Sequence, residues 1–297
     1  MHERTRGYAY LTAAMALVGT TVVASKVTAA AIPPLTATAA RFALALPCFL
    51  LLMWWTRTPW PRVGPRDAAL LLAQALAGSI GYTTLLMLGM RHTSATDAGV
   101  ILGTLPVVAA LCAAVLLKER LSGALLATIG LVAGGLLVLA PPGAGAAPET
   151  GGMLGNALVL GAVVCEALFI LLNRALRVEV APLALSTLMT AIGLAGALAG
   201  AWWEPAATWS LLAPAGAAVA YYALVPTVAG FLLWYAGARL VSAAEAAVFT
   251  AVAPVSALLA AMLVLHEQPQ LRQLAGIGCV LAAILMLARQ PARAAVS

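Results

Sequence analysis

Two stretches of this chain read as copies of one element: TSATDAGVILGTLPVVAALCAAVLLKER, from Thr93 to Arg120, and VSAAEAAVFTAVAPVSALLAAMLVLHEQ, from Val241 to Gln268. Aligning Pro106 with Pro254 sets an offset of 148 positions. Without a gap, that offset pairs Ser94 with Ser242, Asp97 with Glu245, Val100 with Val248 and Glu119 with Glu267. It also extends outward, pairing Gly7 with Gly155, Lys26 with Arg174, Pro34 with Pro182, Arg91 with Arg239 and Gly130 with Gly278. One folding unit is used twice, so any architecture must set two like halves against each other.

Each copy describes the same object. Ser94-x-x-Asp97 and Ser242-x-x-Glu245 fit a helix capping box, a hydroxyl at the N-cap and an acid three residues on, although Asp is shorter than the usual Glu. About twenty apolar residues follow, enough to cross the hydrocarbon of a bilayer. Pro106 and Pro254 fall roughly 17 Å from each helix start, near the midplane. There a proline removes a backbone donor and frees a carbonyl, that of Leu102 or Thr250. In lipid such a group is re-satisfied by neighbours or faces a wet cavity. A packing kink and a hinge beside a substrate path both fit. Duplication at equal depth favours the hinge.

Composition agrees with a membrane setting. The 297 residues are 63% hydrophobic and 9% charged, with mean hydropathy +1.02, which excludes an ordinary soluble domain. The net charge of +6 does not point to nucleic acid, because the basic residues fall in short connections where they set topology. Cys48, Cys112, Cys165 and Cys279 lie within apolar runs without metal-ligand spacing and read as small apolar fillers. No phosphate loop, metal cluster or nucleophile–base constellation is evident, so neither an enzyme nor a cofactor is expected.

Ten apolar segments can be placed, at roughly 8–28, 35–55, 67–89, 95–117, 122–140, 153–175, 182–202, 213–236, 243–265 and 271–288. The expected fold is an all-α membrane protein of ten transmembrane helices in two inverted five-helix repeats. Residues 1–140 form the first, 141–151 a linker, 152–290 the second and 291–297 a tail. An odd number of spans per repeat makes the second copy enter from the opposite side, as in many secondary transporters. Segment one follows Arg4 and Arg6 like a signal peptide, but its run is long and its partner, segment six, would be left unmatched by cleavage. Twelve of the 16 basic residues fall on the N-terminal side, and Lys26, Arg41, Arg91 and Arg272 on the other. Cytoplasmic termini in a cell inner membrane follow. Tryptophans 54, 55 and 60 then sit at one interface, and 202, 203 and 209 at the other.

Glu166 is the outlier. It lies near the centre of segment six, with Phe169 and Asn173 on its helical face, where a carboxylate is costly unless paired, protonated or wetted. Its repeat partner is Val18, so the duplicated scaffold requires no acid there. It can bind a cation, carry a proton, or serve structure, including a salt bridge to Arg41. Gly99-x-x-x-Gly103 and Ala247-x-x-x-Ala251 offer small faces for close helix approach or for substrate. Gly78, Ser79 and Tyr82 share a face of segment three. The candidate cavity set is Ser79, Tyr82, Gly103, Glu166, Phe169, Tyr222 and Phe249. Asp97 and Glu245 belong with Ser94 and Ser242 as helix caps rather than ion sites.

Pro33–Pro34 followed by Arg41, the duplicated SA…L-Pro-V element ending in Glu119, and the Gly130 segment resemble the EamA-type drug/metabolite transporter superfamily. The resemblance spans nearly the whole chain and implies a ten-helix inverted-repeat exporter with a central cavity lined from both halves. Length and layout are similar to those of YddG-like amino-acid exporters. Such proteins often carry Trp where this chain has Val18 and Glu166, so an aromatic substrate platform does not carry over.

Export of small metabolites, amino acids foremost, by alternating access is the expected function. A multidrug exporter with Glu166 as counter-charge for organic cations is the first alternative, and a non-transporting membrane scaffold the alternative of another class. The expected partners are a small-molecule substrate and the lipid bilayer, without nucleic acid or metal. A monomer is compatible with this architecture, and no oligomeric state is implied.

Overall fold

The computed structural model describes residues 2–116, 150–178, 180–206, 213–238, 240–241, 249 and 252–288, with 127, 130, 131 and 134 besides. The described residues are helical and contain no strand. Helix α1 spans His2–Ala29, α2 Pro34–Thr56 and α3 Pro65–Met90. Segment four divides into α4 (Ala95–Leu102) and α5 (Leu105–Leu116). The second half contains α6 (Thr150–Arg174), α7 (Pro182–Ala201), α8 (Pro214–Gly237), α9 (Val252–Val264) and α10 (Leu271–Ala288). Six of these helices are long and apolar enough to cross a membrane, and α4–α5 together make a seventh candidate. Most of segment five, the tail, Glu119, Ser242 and Glu245 lie outside the described residues. Helix α6 begins at Thr150, inside the expected linker.

Prolines start α2, α3, α7 and α8, where a missing N–H costs nothing. Pro34 and Pro182 are repeat equivalents, so the first turn of α2 and of α7 is set by the same local chemistry. These two equivalent helices pack side by side and antiparallel. The start of α2 meets the end of α7, where a Cβ on Gly200 would lie 2.6 Å from Leu35, and farther along a Cβ on Gly193 would lie 2.6 Å from Phe42. Helices α4 and α9, which belong to the equivalent segments four and nine, also pack antiparallel: Gly99 faces Ala257, and Gly103 faces Pro254. Antiparallel contact between equivalent helices is what a two-fold axis across the helix direction produces. Trp54 and Trp55 end α2, and Trp202 and Trp203 follow α7, so the antiparallel pair puts the two exposed aromatic clusters at opposite ends.

The expected proline kink takes a different form. Pro106 is the second residue of α5, where a proline is tolerated, and the break precedes it at Gly103–Thr104. Thr104 bonds its hydroxyl to the Ile101 carbonyl at 2.6 Å, and the two half-helices meet at 45°. Pro254 is buried at the third position of α9.

Wide turns interrupt α3 and α8. Residues Ala75–Tyr82 and Ala223–Ala229 are π-helical, and both runs begin at repeat-equivalent positions. Pro226 explains the second, since an enlarged turn relieves the clash of its ring with the preceding turn. Thr227 bonds its hydroxyl to the Tyr222 carbonyl, five residues back, at 2.8 Å. Ser79, the equivalent of Thr227, donates instead to Met189 O in α7 at 3.1 Å.

Candidate functional site

The start of α1 defines one end of the bundle, here the N-terminal face, and the starts of α2 and α4 lie at the other, distal face. The distal face is clasped by polar contacts between the halves. Glu204, just past α7, accepts from the Leu35 and Thr36 amides at 2.8 and 2.7 Å and from the Thr36 hydroxyl at 2.9 Å. Glu267, just past α9, does the same for α4, accepting from the Ala95 and Thr96 amides at 3.0 and 3.1 Å and the Thr96 hydroxyl at 2.8 Å. Each carboxylate satisfies orphan N–H groups of a helix in the other half, with the helix dipole in its favour. Ser94 caps α4 as expected, accepting from the Asp97 amide at 2.9 Å. The Asp97 carboxylate accepts from Gln273 Nε2 of α10 at 2.7 Å, so the capping box is half formed and the short acid reaches across instead. Lys26 donates to Thr93 O, and Arg91 Nε donates to Ala29 O at 3.1 Å.

Below this clasp the halves part around a cavity of about 220 Å³. Ser79, Tyr82, Glu166, Phe169 and Tyr222 of the expected set line it, joined by Val18, the repeat partner of Glu166. A wider groove of about 580 Å³ lies on the distal face between Lys26, Pro33, Arg91 and Pro205. It is open surface between loop ends, whereas the inner cavity gathers both halves, both wide turns and a carboxylate. Its walls extend along α8 as far as Trp234 and Tyr235, toward the N-terminal face.

Two expected residues lie elsewhere. A Cβ on Gly103 would fall 2.9 Å from Pro254 Cγ and 2.8 Å from Val280, so this glycine serves the close crossing of α4 with α9 and α10. Phe249 packs against Tyr8 with the rings tilted by 34° and 5.1 Å between centroids, and it is not among the cavity residues. Small size and aromaticity mark close packing as readily as binding, and here the neighbours decide for packing.

Arg41 counts by its charge with the bases of the distal side, yet it does not sit in a connection. It lies inside α2, 7% exposed, and lines the cavity. Its guanidinium carbon lies 4.2 Å from the Phe42 ring centroid and 4.4 Å from that of Tyr222. Nη2 donates to Thr83 at 2.9 Å, and Nε has no hydrogen-bond partner among the described residues. Neither Arg41 nor Glu166 has an ion-pair partner among the described residues, so the salt bridge considered between them is not formed. Tyr82 is within electrostatic reach of both. Arg41 was visible as a base near Glu166 in sequence; its aromatic bracket was not, because Tyr222 lies far away in the chain.

Comparison with known proteins accords with this architecture. The model of the EamA-like transporter family matches twice, over residues 5–140 and 153–289. The uncharacterized transporter YetK of Bacillus subtilis is 32% identical over 94% of this chain and 86% of its own length. The uncharacterized transporter YyaM of the same organism is 24% identical over 80% of this chain and 79% of its own. A solved protein structure superposes with a TM-score of 0.62 at 21% identity, covering 97% of this chain and 98% of the other, and so shares the fold. Two family matches that together span both halves make this chain a membrane transporter of the EamA-like family.

Proposed function

We propose that the chain is a secondary transporter that exports small metabolites, amino acids foremost, by alternating access, with cytoplasmic termini in a cell inner membrane. The observation that carries this reading is the carboxylate of Glu166, which has no ion-pair partner among the described residues, in a cavity between the two halves. An unpaired acid at membrane depth calls for a transient partner, and a substrate ammonium supplies one. The closed distal clasp and the cavity's extension toward the N-terminal face support a substrate that enters from that side. Rearrangement of one half against the other then exposes it distally.

The multidrug alternative fits less well. A volume of about 220 Å³ falls below the roughly 300–1,000 Å³ of sites that take drug-sized molecules, and Arg41 would repel an organic cation in the same space. The test is counterflow in proteoliposomes across neutral, acidic, basic and aromatic amino acids, with tetraphenylphosphonium as the cationic competitor. Amino-acid flux lost in Glu166→Gln, with expression intact, supports the reading. Flux of the cation alone overturns it.

A further inference from the structure

We propose that Arg41 is the carboxylate receptor of this cavity, so that the transported molecule is a small zwitterion held between Arg41 and Glu166. The inference rests on the amino-acid reading above and specifies how the second charge is recognised.

A buried cation normally finds an anion inside the protein. Among the described residues Arg41 has none, although it is 7% exposed. Its positive charge is met by two aromatic rings, those of Phe42 and Tyr222, at 4.2 and 4.4 Å. Ring contacts of this kind stabilise the cation without using up its N–H donors, which are what a planar carboxylate pairs with. Thr83 takes one hydrogen from Nη2, which fixes the orientation of the group, and Nε remains without a partner among the described residues. The result is a positioned, desolvated donor set at the wall of a cavity.

The spacing suits a single small molecule. Arg41 lies seven residues below Pro34, roughly 10 Å from the distal end of α2. Glu166 lies eleven residues beyond Gly155, which packs against His92 and Thr93 at that same end, so its depth is roughly 16 Å. The offset along the bundle is therefore about 6 Å. An α-amino acid hydrogen-bonded at both ends spans roughly 8–9 Å between protein groups, leaving room for sideways displacement across the cavity. Tyr82, which lines the cavity within electrostatic reach of both charges, offers a hydroxyl to the substrate, whose side chain is left toward Phe169, Phe231 and Trp234.

The test uses L-leucine and its two truncated analogues, isoamylamine, which lacks the carboxylate, and 4-methylpentanoate, which lacks the ammonium. Each competes against labelled leucine for the full chain in proteoliposomes. Wild type should bind leucine at least about tenfold more tightly than either analogue. In Arg41→Gln leucine should weaken to the level of isoamylamine while isoamylamine itself changes little; in Glu166→Gln the same should hold with 4-methylpentanoate. If Arg41→Gln does not fold, Arg41→Lys, which keeps the charge but loses the fork, should weaken leucine and leave isoamylamine unchanged. Equal weakening of leucine and isoamylamine in the Arg41 variants marks a scaffold role and overturns the proposal. Leucine transport whose tenfold preference survives Arg41→Gln overturns it while leaving the amino-acid reading intact. A wild type that moves tetraphenylphosphonium but not leucine overturns both.

Discussion

Replacing Glu267 by Ala removes one of two matched carboxylates that join the halves at the distal face. Three hydrogen bonds are lost, from the Ala95 amide, the Thr96 amide and the Thr96 hydroxyl. When the distal end opens, these donors pass to water, so only the difference between closed and open states counts. An acid capping a helix N-terminus is worth about 1 kcal/mol, up to about 2. With the hydroxyl included, about 2 kcal/mol of bias toward the closed state is a reasonable magnitude for this half-exposed group. That corresponds to about a thirtyfold change in the closed-to-open ratio. Glu204 makes the same three bonds to α2, on a different helix, so the double variant should approach a thousandfold change. The assay places a cysteine at Leu102, which lines the cavity, in a chain whose native Cys48, Cys112, Cys165 and Cys279 are replaced by Ala. An impermeant maleimide added at the distal face should label it about thirty times faster in Glu267→Ala. A lowered melting temperature with an unchanged labelling rate would refute the reasoning, because the carboxylates would then stabilise both states alike.

Pro106→Ala should let α4 and α5 join across Gly103–Thr104, reducing their 45° bend and slowing transport; wild-type flux with a straightened helix, measured by spin-label distances, would remove the hinge. Gly78→Ala should impair substrate binding without preventing insertion, because its Cβ would lie 2.3 Å from the Phe169 ring and push that ring into the cavity; competition binding of leucine reads the effect. Both amide atoms of the fully buried Gln74 lack partners among the described residues. Gln74→Leu should therefore leave thermal stability unchanged or raise it by about 1 kcal/mol, and a destabilised variant would show that the Gln74 amide is hydrogen-bonded in the folded protein. Cysteines at Thr5 and Ala147 should be labelled from opposite sides of the membrane if the first unit has an odd number of spans.

The sequence by itself determined that this chain is a membrane protein built from one unit twice. Hydropathy and a gapless 148-residue register are properties of local composition and order, and a bilayer leaves few ways to satisfy a backbone. Helix starts at Pro34 and Pro182 and the Ser94 cap were legible for the same reason: each depends on residues within a turn or two. Only the tertiary structure decided which of these residues meet. Gly103 and Phe249 carry the side-chain types of a cavity but face Pro254 and Tyr8. Arg41 carries the charge of a surface residue but lies between Phe42 and Tyr222, from different halves. Glu204 and Glu267 look like ordinary loop acids until the helices they cap arrive from the other repeat. The duplicated wide turns also depend on context, since Pro226 has Gly78 as its partner and no shared motif announces them. A charge or a ring is specified by its own codon, but its partner is specified by the packing of helices 100 or more residues apart, where van der Waals fit between small faces sets which side chains share a space.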